Sequence, residues 1–319
     1  MNSYNVINYK IRPQKQIERG IMAELVNEFT AIIGTSIDYV GMGSLYFADF
    51  VFFNKNCKIN RMISIEKMQD NVDDGIDENK LKRFSFNKPL SKIELIGKSV
   101  TEAIADIEFK ESTFVWFDYD GEFEPSIIED LDKTIAKMKH TSLIAFSVNA
   151  GLSKKYKSKE KEYMQEACQK DYSYYLIDDS GKDSLLIEID KYSKKTIEIC
   201  EAYLKDKVIK RNKVKKTNYE LMKVCDFKYQ DGAKMVTNIY LLVDRSKTET
   251  DNLLQRLGKY GEQGTIDLSM DVLTLYEKQS LDRCDNVDSF INDTGLDKKT
   301  VDKYFKYSKY IPEYTEIYV

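Results

Sequence analysis

"SIDYVGMGS", residues 36–44, and "RMISIE", residues 61–66, decide the fold. The first is a short apolar run that ends in two glycines, Gly41 and Gly43. The second is an apolar run that ends in an acid, Glu66. Short apolar runs bounded by turn residues read as buried strands. Between them, "LYFADFVFFNKN" reads as a helix. Strand, glycine turn, helix, strand and acid in this order open a parallel sheet whose ligand meets the carboxyl ends of the strands. Glycine lets the backbone approach a ligand closely, and the acid accepts hydrogen bonds from both hydroxyls of a ribose.

The third glycine of a dinucleotide-binding loop is missing. Tyr46 and Phe47 stand where it would fall, and their bulk disfavours a pyrophosphate on this loop. An adenosine-bearing cofactor without a pyrophosphate there, S-adenosylmethionine, is the better candidate.

The alternation continues. "SKIELIGKS" (91–99), "STFVWFDYDGE" (112–122) and "TSLIAFSVNAG" (141–151) read as third, fourth and fifth strands, with helices at "VTEAIADIEF" and "EPSIIEDLDKTIAKMKH". Residues 67–82 read as helical or irregular. This pattern predicts a doubly wound α/β sheet over residues 35–151. A helix over 13–33 precedes it, in an N-terminal segment 1–34. A lysine-rich helical insertion, 152–217, follows. "YELMKVCDFKYQDGAKMVTNIYLLVDR" reads as a hairpin that closes the core over 218–247, and a helical unit fills 248–319.

Composition narrows the function classes. The 319 residues carry a net charge of −4, so no global basic field exists for nucleic acid. A single histidine, His140, rules out sites that need two. Five cysteines without a CxxC pair argue against structural zinc and fit a reducing cytoplasm. No secretory signal or membrane-spanning run is seen.

From residue 35 to 245 the chain resembles a class I S-adenosylmethionine-dependent methyltransferase. "RPQKQIER", "YVGMGSLYFADF", "MISIEK", "RFSFNKP", "FVWFDYDG", "SVNAG", "LTLYEK" and "YFKYSKYIPEY" are similar to stretches of a bacterial group designated O-methyltransferases. The resemblance implies a seven-stranded sheet with its last strand antiparallel, and S-adenosylmethionine as cofactor. It puts Gly41, Gly43 and Ser44 against the methionine and ribose portion, and Glu66 on the ribose diol. Lys98 and Ser99 fall where the family contacts adenine, although "GKS" departs from the usual residues there. It names no methyl acceptor.

Asp118 and Asp120 end the fourth strand and Asn149 the fifth, so they face the position of the transferred methyl in such a fold. A carboxylate there serves as a general base or as an oxygen ligand for Mg²⁺. Glu122 and Glu124 read as helix-capping acids, and Trp116 and the aromatic run 46–53 as core. His140 reads as a helix-end residue that satisfies the dipole. Lys10, Arg12, Lys15 and Arg19 give a helix start the wrong charge for its dipole, which points to an anionic ligand near the crevice. "KDKVIKRNKVKK" (205–216) reads as a solvated helix face or a phosphate-tracking patch. "SFINDTGLDKKTVDKYFKYSKY" resembles a helix-turn-helix with Gly295 at the turn. Beside the methyltransferase reading stand a catalytically silent module that senses a nucleotide or a partner protein, as in a bacterial defence system, and a nucleic-acid-associated protein.

Overall fold

The computed structural model describes residues 13–69, 76–122, 125–150, 192–231, 233–262, 264–270 and 273–311. Helix α1 (Pro13–Ile33) precedes an alternation of β1 (Ile37–Met42), α2 (Ala48–Asn56), β2 (Ile59–Ile65), α3 (Glu78–Asn87), β3 (Ile93–Ile96), α4 (Val100–Asp106), β4 (Thr113–Glu122), α5 (Pro125–Lys137) and β5 (Ser142–Asn149). Then come α6 (Tyr192–Lys215), the hairpin β6 (Tyr219–Asp231) and β7 (Ala233–Asp244), α7 (Thr250–Gly258) and β8 (Ile266–Asp267). Helices α8 (Leu275–Asp282), α9 (Val287–Thr294) and α10 (Lys298–Tyr307) end the described chain. Of the expected insertion, residues 151–191 lie outside the described residues.

The sheet order is β3-β2-β1-β4-β5-β7-β6-β8. The first five strands are parallel, and β7 runs antiparallel between β5 and β6. Seven strands form the expected doubly wound sheet, and β8 adds a two-residue edge to β6. The chain order reverses at β1, which lies between β2 and β4, so the crevice opens above β1 and β4.

Both faces of the sheet are covered, which explains why β5 reads as an almost unbroken apolar run. On one face, side chains of α4, α5 and α6 meet Val40, Val115, Phe117, Ile144 and Tyr240. On the other, α1, α2, α3 and α7 pack on Tyr39, Phe114, Trp116, Ala145 and Ile239. Helices α8–α10 enclose a small core of Leu273, Leu281, Val301 and Tyr304, joined to the main body through Met270 and Ile311. Gly295 ends α9 at φ 72°, a conformation glycine adopts without strain. No helix among the described residues is long and apolar enough to cross a membrane.

Two boundaries differ from the sequence reading. Helix α2 starts at Ala48 because residues 44–47 form a turn, in which the Phe47 N–H donates to the Ser44 carbonyl at 3.1 Å. Phe47 takes φ 47°, the left-handed conformation that the missing third glycine would reach without steric cost. Complete burial of its ring against Phe50 and Phe84 offsets the strain. Helix α3 starts only at Glu78, where the Asp77 carboxylate caps the Asn79 and Lys80 amides.

Candidate functional site

The glycine loop leaves β1 directly above the switch point. Gly41 pairs with Ser64 of β2 on one side and with Trp116 of β4 on the other. A Cβ on Gly41 would lie 2.5 Å from the Tyr39 hydroxyl. Tyr39 cannot yield, because its ring is wedged between Phe50 and Phe53, at centroid distances of 5.0 and 5.1 Å, and Phe114 at 5.6 Å. A Cβ on Gly43 would fall within contact distance of Ser64 Oγ, a buried hydroxyl with no hydrogen-bond partner. Both glycines therefore let the loop settle onto the sheet. Gly41→Ala is expected to destabilise the protein by about 1–3 kcal/mol through overpacking, measured by denaturant unfolding.

Glu66 follows β2 at the mouth of the crevice. Its amide donates to the Ile96 carbonyl at 3.0 Å, and its carboxylate faces Lys80 of α3 at 3.5 Å. Lys80 also donates to the Lys67 carbonyl. Burial pushes the Glu66 carboxyl up to about 7, and nearby Asp120 adds to the rise while Lys80 opposes it. Asp120 itself is exposed.

On the β4 side, α1 inserts charges into the sheet. Lys15 Nζ lies 2.8 Å from Asp118 Oδ1, 2.8 Å from Glu18 Oε2 and 3.1 Å from the Tyr229 hydroxyl, and 4.3 Å above the Trp116 ring. Tyr229 donates to Glu18 at 3.2 Å, and Thr237 donates to its other oxygen. Thr237 and Ser147 share a hydrogen bond of 2.7 Å, and Trp116 Nε1 donates to Ser147 at 2.9 Å. Arg19 pairs with Asp49 at the start of α2. Burial alone would push the Lys15 ammonium toward neutrality, but the Asp118 and Glu18 carboxylates outweigh it and raise its pKa well above the ordinary value. Burial raises the Glu18 carboxyl, and Lys15 counters that rise. Of the wrong-signed helix start, Lys15 and Arg19 are thus paired with carboxylates from α1, α2 and β4.

The remaining sequence-predicted residues fall in several places. Asn149 ends β5 two residues beyond Ser147, the partner of Asp118, and pairs with Glu122 across a break in the β4–β5 register. Ser44 is half-buried in the loop turn. Ser99 caps α4: its hydroxyl accepts from the Glu102 amide, and its own amide donates to the Glu102 carboxylate at 3.0 Å. Lys98 pairs with Asp106 at 2.5 Å. Ser99→Ala is expected to cost about 1 kcal/mol of stability, read from thermal unfolding, through loss of the cap. Lys10, Arg12 and Glu124 lie outside the described residues. His140 stacks on Tyr219 at 6.4 Å, away from the crevice. In the basic run, Lys205, Lys210 and Arg211 pair with Glu201, Asp206 and Asp132. Among the described residues, no group of three or more His, Cys, Asp or Glu could hold a metal ion.

Sequence reading missed Glu18, Asp49, Tyr229 and Lys80. The one local signal was the spacing of Lys15, Glu18 and Arg19, which puts opposite charges one helical turn apart.

This strand order, with a glycine loop after β1 and an acid after β2, defines a class I methyltransferase-type fold. The chain belongs to the family described as "Putative O-methyltransferase", whose model matches residues 7–319. No curated protein matches it. Among solved structures, it is similar to an O-methyltransferase of that same designation from Klebsiella pneumoniae, at 8% identity and TM-score 0.39, covering 75% of this chain and 84% of that one. Trm1 from Pyrococcus horikoshii, in complex with S-adenosyl-L-methionine, aligns at 10% identity and TM-score 0.45, covering 75% and 58%. An O-methyltransferase from Bacillus cereus, in complex with S-adenosylhomocysteine, aligns at 11% and 0.36, covering 74% and 84%.

Proposed function

We propose that this chain is an S-adenosylmethionine-dependent methyltransferase whose cofactor lies over Gly41, Gly43 and Ser44 with its ribose on Glu66. The observation that carries the reading is the placement of Glu66, a desolvated carboxylate one strand from a glycine loop at the switch point. The residues present suit the group: without a Cβ, Gly43 lets the loop lie close on β2 beside Glu66, and Glu66 presents acceptor oxygens where a ribose diol presents donors. When bound, the cofactor supplies an electrophilic methyl group. The chain's own residues then bind and orient the acceptor. Asp118 and Asn149 occupy the adjacent strand ends, where a carboxylate accepts a proton or a hydrogen bond from an acceptor hydroxyl or amine. Ser99 and Lys98 have local partners already, Glu102 and Asp106.

Nucleic acid is the acceptor class to test first, because Lys213 and Lys215 in the last turn of α6, and Lys216 just after it, have no ion-pair partners among the described residues. Among the described residues, Cys57, Cys225 and Cys284 form no disulfide, which suits a cytoplasmic setting. Calorimetric titration of the purified protein with adenosylmethionine and adenosylhomocysteine tests the cofactor reading, and absence of binding to either refutes it. Binding of cofactor without turnover on nucleic acid, protein or small-molecule acceptors would instead favour a silent sensor.

A further inference from the structure

Among the described residues, the buried ion cluster is one cation short. Three carboxylates, Glu18, Asp49 and Asp118, meet two cations, Lys15 and Arg19. Arg19 and Asp49 balance each other. Lys15 alone serves both Glu18 and Asp118. Glu18 is fully enclosed and takes further hydrogen bonds from Tyr229 and Thr237, so its oxygens are satisfied inside the protein. Asp118 differs. Lys15 holds its Oδ1, while Oδ2 has no partner among the described residues, and the side chain keeps 19% of its surface open. An unbalanced charge in a site of low dielectric is costly until a cation arrives.

The geometry places that open oxygen at a defined point of the crevice. Trp116 is paired with Gly41 in the last pair of the β1–β4 register, and Asp118 follows two residues on, where the loop of Gly43 leaves β1. The Tyr39 hydroxyl lies beneath Gly41, within the buried layer that also holds Trp116. Glu66 lies on the other side of the same loop, beyond β2. A ligand that reached from Glu66 over the loop to β4 would bring the atom bonded to its ribose C5′ toward Asp118. In adenosylmethionine that atom is a positively charged sulfur, and in the demethylated product it is a neutral thioether.

We propose that Asp118, tethered by Lys15, is the counter-charge for the methylsulfonium of bound adenosylmethionine, so that the site holds the charged cofactor more tightly than the neutral adenosylhomocysteine. The proposal rests on the cofactor reading above and adds the device by which spent cofactor is released. Lys15 is a positioning residue here: it fixes one carboxylate oxygen and leaves the other for the ligand.

The test is calorimetry on the full chain with three ligands: adenosylmethionine, adenosylhomocysteine, and an analogue carrying a protonated amine in place of the sulfonium. The wild type is expected to bind both cationic ligands at least about tenfold more tightly than adenosylhomocysteine. Asp118→Asn is expected to weaken the two cations by about tenfold while moving adenosylhomocysteine by no more than about twofold. Tyr229→Phe, which loosens the cluster without changing its charge, should shift all three ligands together. Equal affinities in the wild type overturn the proposal even if the Asn variant does not fold. An equal loss for all three ligands in a folded Asn variant overturns it as well. If none of the three binds, the cofactor reading itself falls, which is a different result from binding without preference.

Discussion

Glu66→Gln is expected to lower adenosylmethionine affinity by about 10–100-fold while making the protein more stable at pH 8. The affinity loss follows from removing a charged acceptor that two ribose hydroxyls would share, since hydrogen bonds to charged groups are worth about 1.5–3 kcal/mol each. The gain in stability follows from burial. The Glu66 carboxyl is raised from 4.5 to about 7 in the folded protein. Above pH 7 the native state holds an ionised, desolvated carboxylate that the unfolded chain would solvate. Between about 7 and 4.5 the native state binds a proton that the unfolded chain releases, so the wild type gains stability as pH falls through this window. The advantage of the Gln variant is therefore largest above pH 7, roughly 1–3 kcal/mol, and shrinks to nothing below about 4.5. The lost Lys80 contact keeps it toward the lower end of that range. Wild-type affinity should fall as pH drops through about 7, where Glu66 ceases to be a carboxylate, and that of the variant should stay flat. Calorimetric titration and urea unfolding at pH 6 and pH 8 check both halves. A variant less stable than the wild type at pH 8 would show that the Lys80 pair outweighs desolvation.

The parts of the molecule legible in the sequence are those set by local periodicity and by the end of a strand. The run Ile37–Val40 followed by two glycines places β1 and its loop, and the acid after Ile65 places Glu66, because strand ends and crevice coincide in a parallel sheet. Ser99 is equally legible as a cap, since the Glu three residues later completes a capping box. What local pattern does not reveal is pairing over long distances. Lys15 reads as a solvated or ligand-binding cation because its partners, Asp118 and Tyr229, stand 103 and 214 residues away. Only the fold lays α1 across the ends of β4 and β6. The left-handed Phe47 is also hidden, because propensity disfavours the conformation and only its burial among other rings permits it.

Lys15→Met should be the most damaging single change outside the apolar core, costing about 3–5 kcal/mol of stability, as breaking a buried ion pair from one side does. Methionine fills much of the same volume, so the loss reflects charge more than packing. It strands Glu18, which is fully buried and would keep only the two hydroxyl donors, Tyr229 and Thr237. Asp118 suffers less, because part of its surface reaches solvent. Glu18→Met should be comparably costly, since it removes the acceptor of Thr237 and Tyr229 and one of the two carboxylates that hold Lys15. The double variant is the decisive measurement. If the cost of each single change is chiefly an orphaned charge, Lys15→Met with Glu18→Met should be less destabilised than the sum of the two by at least about 2 kcal/mol. Additive losses in urea unfolding would instead assign the cost to the contacts that each side chain makes separately. Lowering the pH distinguishes the two within the Lys15→Met protein. Without its cation, Glu18 is held ionised only by two hydroxyls against a burial that already raises its carboxyl, so the native state takes up a proton readily and the deficit relative to wild type should narrow as the solution is acidified.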